Sequence, residues 1–215
     1  MKSDIPVCLF SRSSSKRLPF KALLPFGNVP LIVFIHKRLS LFFSNITVLT
    51  SSDHTDDLLC HTLKSNNINF YRGSLNSTFE RALEFSKKNS IDGFFRVCAD
   101  SPIYPVHELY YISQKYLSKY PHSIISNVYP NRTWPKGFSI EFIPTDLLSN
   151  APMEHLTNSH HEHLSAYFYD MHNLYSDRII ALPAPLLNIR DFRASIDSPD
   201  DYTYMNRLVA NIKEN

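Results

Sequence analysis

Hydrophobic and polar positions alternate along this chain between short apolar runs and longer stretches with helical spacing. Residues 5–10 are continuously apolar, the pattern of a strand buried on both faces. A polar loop over 11–21 follows. Pro30 suits a first helical position, and Leu31, Phe34, Ile35, Leu39 and Phe42 recur behind it as one buried helical face. Further strands are expected over 46–49, 68–71 and 93–98, the last apolar except for Arg96. Between them Asp53 is placed to cap a helix reaching Leu63. Residues 73–77 read as a turn, and 78–88 as a helix with Phe79, Ala82 and Leu83 inward. Leu109, Ile112, Tyr116 and Leu117 mark another helix. Later strands are expected over 123–128, 138–143, 179–182 and 192–196, with a helix over 154–170. Tyr202, Met205, Leu208, Val209 and Ile212 form a closing amphipathic helix.

This alternation predicts an α/β domain over 1–215 whose mostly parallel sheet is covered on both faces. Residues 121–185 break the rhythm and are richer in aromatics, proline and histidine. They read as an insertion carrying a substrate wall or a dimer surface.

Composition narrows the function. Of 215 residues, 43% are hydrophobic and 20% charged, which is ordinary for a globular protein. The 22 Lys+Arg against 20 Asp+Glu leave +2, too balanced for a dedicated duplex binder, so no nucleic-acid partner is expected. The longest apolar stretch, 30–35, falls far short of the roughly 20 residues of a membrane span. With no signal-like N-terminal pattern, a cytoplasmic protein is expected. Cys8, Cys60 and Cys98 are widely spaced and read as reduced core residues. Only Gly27, Gly73, Gly93 and Gly137 are glycines, so G-x-G-x-x-G and the P-loop are absent. A phosphate site here must use side-chain charge and non-glycine amides.

Ligands of open parallel sheets bind beyond the carboxyl ends of the strands. Behind the first strand come Ser11, Arg12, Ser13, Ser15, Arg17 and Lys21. The cations can neutralise phosphate oxygens, with arginine forming forked contacts, and the serines can donate to the same oxygens. By spacing alone this loop reads equally as a solvated basic stretch. Its place directly behind a buried strand points to phosphate. Asp100-Ser101-Pro102 and Asp197-Ser198-Pro199 repeat one tripeptide behind two apolar strands. Each serine can cap a helix while the aspartates share a hard cation such as Mg2+.

His155, His160, His161 and His163 invite a zinc reading, through an i, i+3 pair at 160 and 163. No H-E-x-x-H and no nearby cysteine supports it, and Glu162 with His163 fits contacts to a polar substrate better. A Ser-His-Asp hydrolase lacks its G-x-S-x-G elbow. Cys98 reads as a buried strand cysteine. Trp134 could stack on a base, which is weak support for a single-stranded nucleic-acid binder.

Together, Arg12-x-x-Ser15-x-Arg17-Leu18-Pro19-x-Lys21 resembles the A-R-x-G-S-x-R-L-P-G-K loop of sugar cytidylyltransferases. The spore-coat-polysaccharide type, related to the 3-deoxy-manno-octulosonate and acylneuraminate enzymes, is most similar. Leu23-Leu24-Pro25, Gly73-Ser74 through Arg81, Arg96-Val97-x-x-Asp100-x-Pro102, Gly137-x-x-x-Glu141, Glu162-His163 and Arg193-x-x-x-Asp197 extend the resemblance over nearly the whole chain. It implies a Rossmann-like nucleotide-diphospho-sugar transferase fold and a homodimer formed through the middle segment. CTP would lie over the 11–21 loop, its phosphates held by Arg12, Arg17 and Lys21. Asp100 and Asp197 would hold Mg2+. Thr50, Ser51, Ser77 and Arg81 would approach cytosine and ribose, and Glu141, His163 and Arg193 the acceptor. A hydroxyl of an acidic sugar would attack the α-phosphate, giving a CMP-sugar and pyrophosphate.

The chain departs from this pattern at Ser11, Ser14, Phe20, Ala99 and Ser139. Ser14 and Phe20 replace both loop glycines, and Ser139 replaces a common aspartate. A nucleotide-binding relative without transferase activity is therefore the competing expectation.

Overall fold

The computed structural model describes residues 2–15, 17–184 and 192–213. Its strands are β1 Val7–Phe10, β2 Pro25–Phe26, β3 Val29–Pro30, β4 Ile46–Ser51, β5 Phe70–Gly73, β6 Gly93–Cys98, β7 Ile124–Ser126, β8 Glu141–Pro144 and β9 Ile179–Ala181. Its α-helices are α1 Leu31–Leu39, α2 Asp57–Ser65, α3 Thr78–Lys88, α4 Val106–Tyr116, α5 Thr145–Asn150, α6 Asn158–Glu162, α7 Ala166–Asp170, α8 His172–Tyr175 and α9 Pro199–Lys213. Strands β2 and β3 form a small antiparallel ribbon, and the other seven make one sheet ordered β5-β4-β1-β6-β8-β7-β9. From β5 to β6 all pairings are parallel; β8 is antiparallel to both its neighbours, and β9 runs parallel to β7.

The pleat of β1 explains the two-sided core. Val7 and Leu9 join the apolar cluster with Leu31, Ile35, Leu109 and Met205. Cys8 and Phe10 join the opposite cluster with Phe79, Phe94 and Phe168. Successive side chains point to opposite faces, so a strand with helices on both sides must be apolar throughout. Residues 121–185 are built into this sheet, supplying β7, β8, β9 and the helices α5 to α8. Among the described residues no helix is long and apolar enough to cross a membrane.

Three expectations need correction. Residues 192–196 form no strand, because their amides serve two different partners: Ala194 N donates to Lys136 O and Ile196 N to Asp100 O. The helix expected over 154–170 is broken. Thr157 starts α6 through a capping box with His160, and His163 ends it in an extended conformation. Finally, Ser101 caps no helix. Its carbonyl accepts from Tyr104 N in a turn, and α4 begins only behind Pro105. Ser198 behaves as expected: its Oγ accepts from Asp201 N, while Asp201 Oδ2 accepts from the amides of 197 and 198. The side chain of Ile212 lies outside the described residues.

The topology fixes where a ligand can sit. The chain steps from β1 to β4 and β5 on one side, then returns to place β6 on the other. The crevice beyond the carboxyl ends of β1 and β6 is thus the point where strand order reverses. The 11–21 loop enters it and turns at Phe20, whose φ of 56° and ψ of 20° are left-handed. Phe20 N donates to Ser13 O at 3.0 Å, closing the loop before the 3-10 turn Lys21–Leu23.

A side chain at positive φ costs roughly 1–2 kcal/mol, and branching at Cβ makes it worse. Phe20→Gly should therefore be at least as stable as the parent in urea unfolding, while Phe20→Val should lose about 1 kcal/mol or more. A less stable glycine variant would show that ring contacts outweigh the backbone strain.

Candidate active site

Lys21 stands at the centre of the crevice. Its ammonium donates to Asp100 Oδ2 at 2.8 Å and to Ile196 O at 2.9 Å, and lies 3.4 Å from Asp197 Oδ1. One side chain thereby ties together the loop behind β1, the turn behind β6 and the segment entering α9. The two aspartates therefore face a common point, as their repeated tripeptide suggested.

Asp197 is buried among cations. Arg17 reaches Oδ1 at 2.9 Å; Arg193 and Lys136 reach Oδ2 at 2.7 and 3.3 Å. Burial alone would raise this carboxyl, but the Arg193 hydrogen bond and the charges of Lys21 and Lys136 bring it down to about 2. Lys136 arrives because Gly137 takes a φ of 98° and packs against the backbone of Ala194 and Ser195, where a Cβ would sit 2.6 Å from Ala194 C. Arg193 bridges Asp197 and Asp201 and does not line the acceptor-side pocket.

Arg12 extends along the other side of the crevice. It donates to Leu75 O at 2.7 Å and to Glu162 Oε1 at 2.5 Å. Asp56 anchors this side. Fully buried, its carboxylate accepts from Ser13 N at 2.6 Å, from Ser51 N at 3.0 Å and from the Ser51 hydroxyl. Burial pushes the Asp56 carboxyl up, and these donors more than reverse the effect. Ser11 continues the β1–β4 ladder through Leu49 O, and Ser15 is half-buried in the loop.

Three buried polar atoms here have no partner among the described residues: Thr50 Oγ1, and Nε and Nη1 of Arg81. Arg81 is 1% exposed, and burial followed by the nearby Arg12 charge lowers its pKa to about 10. Native proteins rarely leave such atoms unpaired, so this wall suits a polar ligand. Ser77 Oγ caps α3 through Glu80 N and lies 2.8 Å from His161 Nδ1.

On the β6–β8 side is a cavity of about 330 Å3. Asp100, Asp197, Arg17, Arg96, Lys136 and His163 are among its walls. His163 reaches it because α6 stops there. His160, by contrast, is buried against Asp170 at 2.9 Å, and among the described residues no metal-type cluster of histidine, cysteine or acidic groups exists. Glu141 does not line this cavity. It is buried with Oε2 on Arg96 at 2.7 Å and Oε1 on Tyr169 and Ser165. Burial would raise it, but the Arg96 charge and the two hydroxyls keep it below the ordinary range. Its role is to hold Arg96 against the cavity. Trp134 donates to Pro183 O and packs on the core, not on an open base platform.

Sequence reasoning missed Asp56, Lys136 and Arg132. Asp56 gave only the signal of a carboxylate one turn behind a strand. Lys136 gave only its place before one of the few glycines.

A sheet with this strand order, a cationic loop behind β1 and paired aspartates on the rim define an α/β nucleotidyltransferase-like protein. The family model for cytidylyltransferases matches residues 7–213, and the chain belongs to that family. It is similar to a cytidylyltransferase from Leptospira borgpetersenii serovar Hardjo-bovis, with 26% identity and a TM-score of 0.88 over 97% of this chain and 87% of that one. A CMP:2-keto-3-deoxy-manno-octonic acid synthetase complexed with CTP shares 14% identity and a TM-score of 0.68, over 97% and 99%. A 4-diphosphocytidyl-2C-methyl-D-erythritol synthase from Anaerococcus prevotii shares 15% and 0.59, over 96% of each chain. Comparison with curated proteins finds no match.

The depressed Asp197 carboxyl carries a pH dependence. Its contribution to stability is complete above its unfolded value near 3.8 and is lost as pH falls towards 2. Between pH 4 and 2 the parent should lose about 2 kcal/mol more stability than Asp197→Asn, measured by urea unfolding at each pH. Parallel pH profiles would show that the cluster does not hold the charge.

Proposed function

We propose that this protein transfers CMP from CTP to a hydroxyl of an acidic sugar, with Mg2+ and release of pyrophosphate, in surface-glycan synthesis. The observation that carries the proposal is the meeting of Lys21 with Asp100 and Asp197 at the β1/β6 reversal, beside a cation-rich cavity. The unpaired donors around Thr50 and Arg81 support a nucleoside on the other side. Similarity to an enzyme named for a keto-sugar acid supports the acceptor class. A cytoplasmic homodimer formed through 121–185 belongs to the same proposal.

The residues present fit a hard divalent cation. Asp100 Oδ2 and Asp197 Oδ1 both lie within reach of one ammonium, and carboxylates, phosphate oxygens and waters make a normal Mg2+ shell. Bound there, Mg2+ would neutralise charge on the reacting phosphates. Arg12 and Arg17 would exchange their carboxylate partners for phosphate oxygens, using their forked donors. Lys21 supplies a compact charge at the same place. The acceptor oxygen bonds to the α-phosphorus, the bond to the bridging oxygen breaks, and pyrophosphate leaves with that electron pair. The hydroxyl proton passes to water. Positioning and charge neutralisation supply most of the catalysis in such transfers.

The left-handed Phe20 favours a second reading, nucleotide binding without transfer. Thermal unfolding with CTP, UTP, ATP and GTP, with and without Mg2+, followed by pyrophosphate release with sugar acids, separates the two. At 100 times Kd, CTP should add about 2.7 kcal/mol, a shift of several degrees. Lys21→Ala and Asp100→Ala should each lower pyrophosphate release about 100-fold or more with the fold retained by circular dichroism. Normal turnover in both variants would overturn the transfer mechanism; CTP binding without turnover in the parent would establish the second reading.

A further inference from the structure

The loop from β7 to β8 is a clamped structure. Buried Asn127 closes its base: Nδ2 donates to Phe138 O at 2.8 Å, and Oδ1 accepts from Ile140 N at 2.8 Å. The clamp sets two cations, Arg132 and Lys136, against the 330 Å3 cavity. Their situations differ. Lys136 is paired with Asp197. Arg132 donates to the neutral hydroxyl of Ser139 at 2.8 Å and, among the described residues, forms no ion pair. The nearby Glu141 carboxylate is engaged by Arg96, Ser165 and Tyr169.

Two further polar atoms lie buried in residues of this wall, with almost no exposed surface of their own. Ser195 is 5% exposed, lines the cavity, and its Oγ has no partner; Arg96 Nε is buried there without one. Arg132 is exposed and lines the cavity with Arg17, Arg96 and Lys136, and no carboxylate among the described residues is paired with it, so an anionic ligand entering there meets an open guanidinium. A planar guanidinium favours a carboxylate, which it can bind with two parallel hydrogen bonds.

We propose that Arg132 is the acceptor-selecting residue: its guanidinium pairs with the carboxylate of the incoming sugar acid, and a neutral residue at 139 keeps Arg132 available. The inference rests on the acceptor class proposed above and assigns it to one side chain. It also separates the cations of the rim by task. Arg12, Arg17 and Lys21 serve the nucleotide; Arg132 serves the acceptor.

The test is steady-state pyrophosphate release with a panel of keto-sugar acids, their carboxamides and sugar 1-phosphates. The parent is compared with Arg132→Gln, Arg132→Lys and Ser139→Asp. The glutamine variant should raise acceptor KM about 10- to 100-fold, the range of one charged hydrogen bond, with kcat changed by only a few-fold. The KM for CTP should not move. Arg132→Lys should recover part of the loss. Ser139→Asp should mimic the glutamine variant, because the new carboxylate occupies the arginine. The parent should prefer acid over carboxamide, and Arg132→Gln should lose that preference. Unchanged acceptor KM in the glutamine and aspartate variants, with sugar acids still turned over, would overturn the Arg132 assignment alone. Failure of the parent on every sugar acid, or turnover of sugar 1-phosphates instead, would overturn the acceptor class and this assignment together.

Discussion

The Lys21 ammonium engages the turn behind β6 and the segment entering α9 from a loop that belongs to β1. One backbone hydrogen bond, Ile196 N to Asp100 O, joins two of these pieces, and the charge on Lys21 ties the third to them. Asp197 is the other half of this arrangement. A carboxylate so enclosed is stable as an anion only because Arg17, Lys21, Lys136 and Arg193 surround it. Those cations come from three segments, the 11–21 loop, the loop before β8 and the stretch just ahead of Asp197, and each gives Asp197 a reason to be charged. In return Asp197 holds them on one crevice. Cations outnumber carboxylates there, but those around Asp197 and Asp100 are already paired, so a polyanion entering the site has to compete for them. It must take partners from Asp197, Asp100 and Glu162. The rim is therefore built for exchange of counter-ions, which suits a substrate that brings several negative charges at once.

The two-sided sheet follows from the same chain logic at a lower level. Apolar runs at 7–10, 46–51 and 93–98 give strands that can be buried on both faces, and the helices between them have one apolar side each. Those features were legible in the sequence because local period and burial agree. Helix α3 has the bounds that its pattern predicts, with Ser77 as its cap. What was illegible depends on partners distant in sequence. Residues 192–196 look like a strand, yet their amides are divided between Lys136 and Asp100. The 154–170 segment has enough helical character to read as one helix. Its break at His163 is set by the Thr157 box and by packing on α3, neither of which periodicity reports.

The site shows the same division. The loop cations and the paired aspartates could be read because their spacing in sequence reflects adjacency to strand ends. Roles were harder. Glu141 carries a motif position and was expected at the acceptor, but β8 pairs it with Arg96 of β6 and buries it. Arg193 was expected there too, yet its i, i+4 relation to Asp197 commits it to that carboxylate. Asp56 and Arg132 leave almost no trace in the sequence. Asp56 matters because it joins the amide of Ser13 behind β1 to Ser51 at the end of β4, and Arg132 because Asn127 clamps its loop.

Phe20 shows how such a site tolerates a locally unfavourable residue. Its left-handed backbone would ordinarily favour glycine, and nothing in the side chain removes that preference. The conformation is imposed from both ends. On one side the Phe20 amide is held by Ser13 O, and Ser13 is itself held by buried Asp56. On the other side Lys21 is fixed by the aspartates. With both neighbours pinned, the intervening residue has one path, and a strain of roughly 1–2 kcal/mol is small against the contacts that would be lost by relaxing it. The glycine pattern of such loops is thus one solution for turning the chain into the crevice; fixing the charges on either side is another. It leaves the positions of Arg12, Arg17 and Lys21 intact, which is what phosphate neutralisation requires.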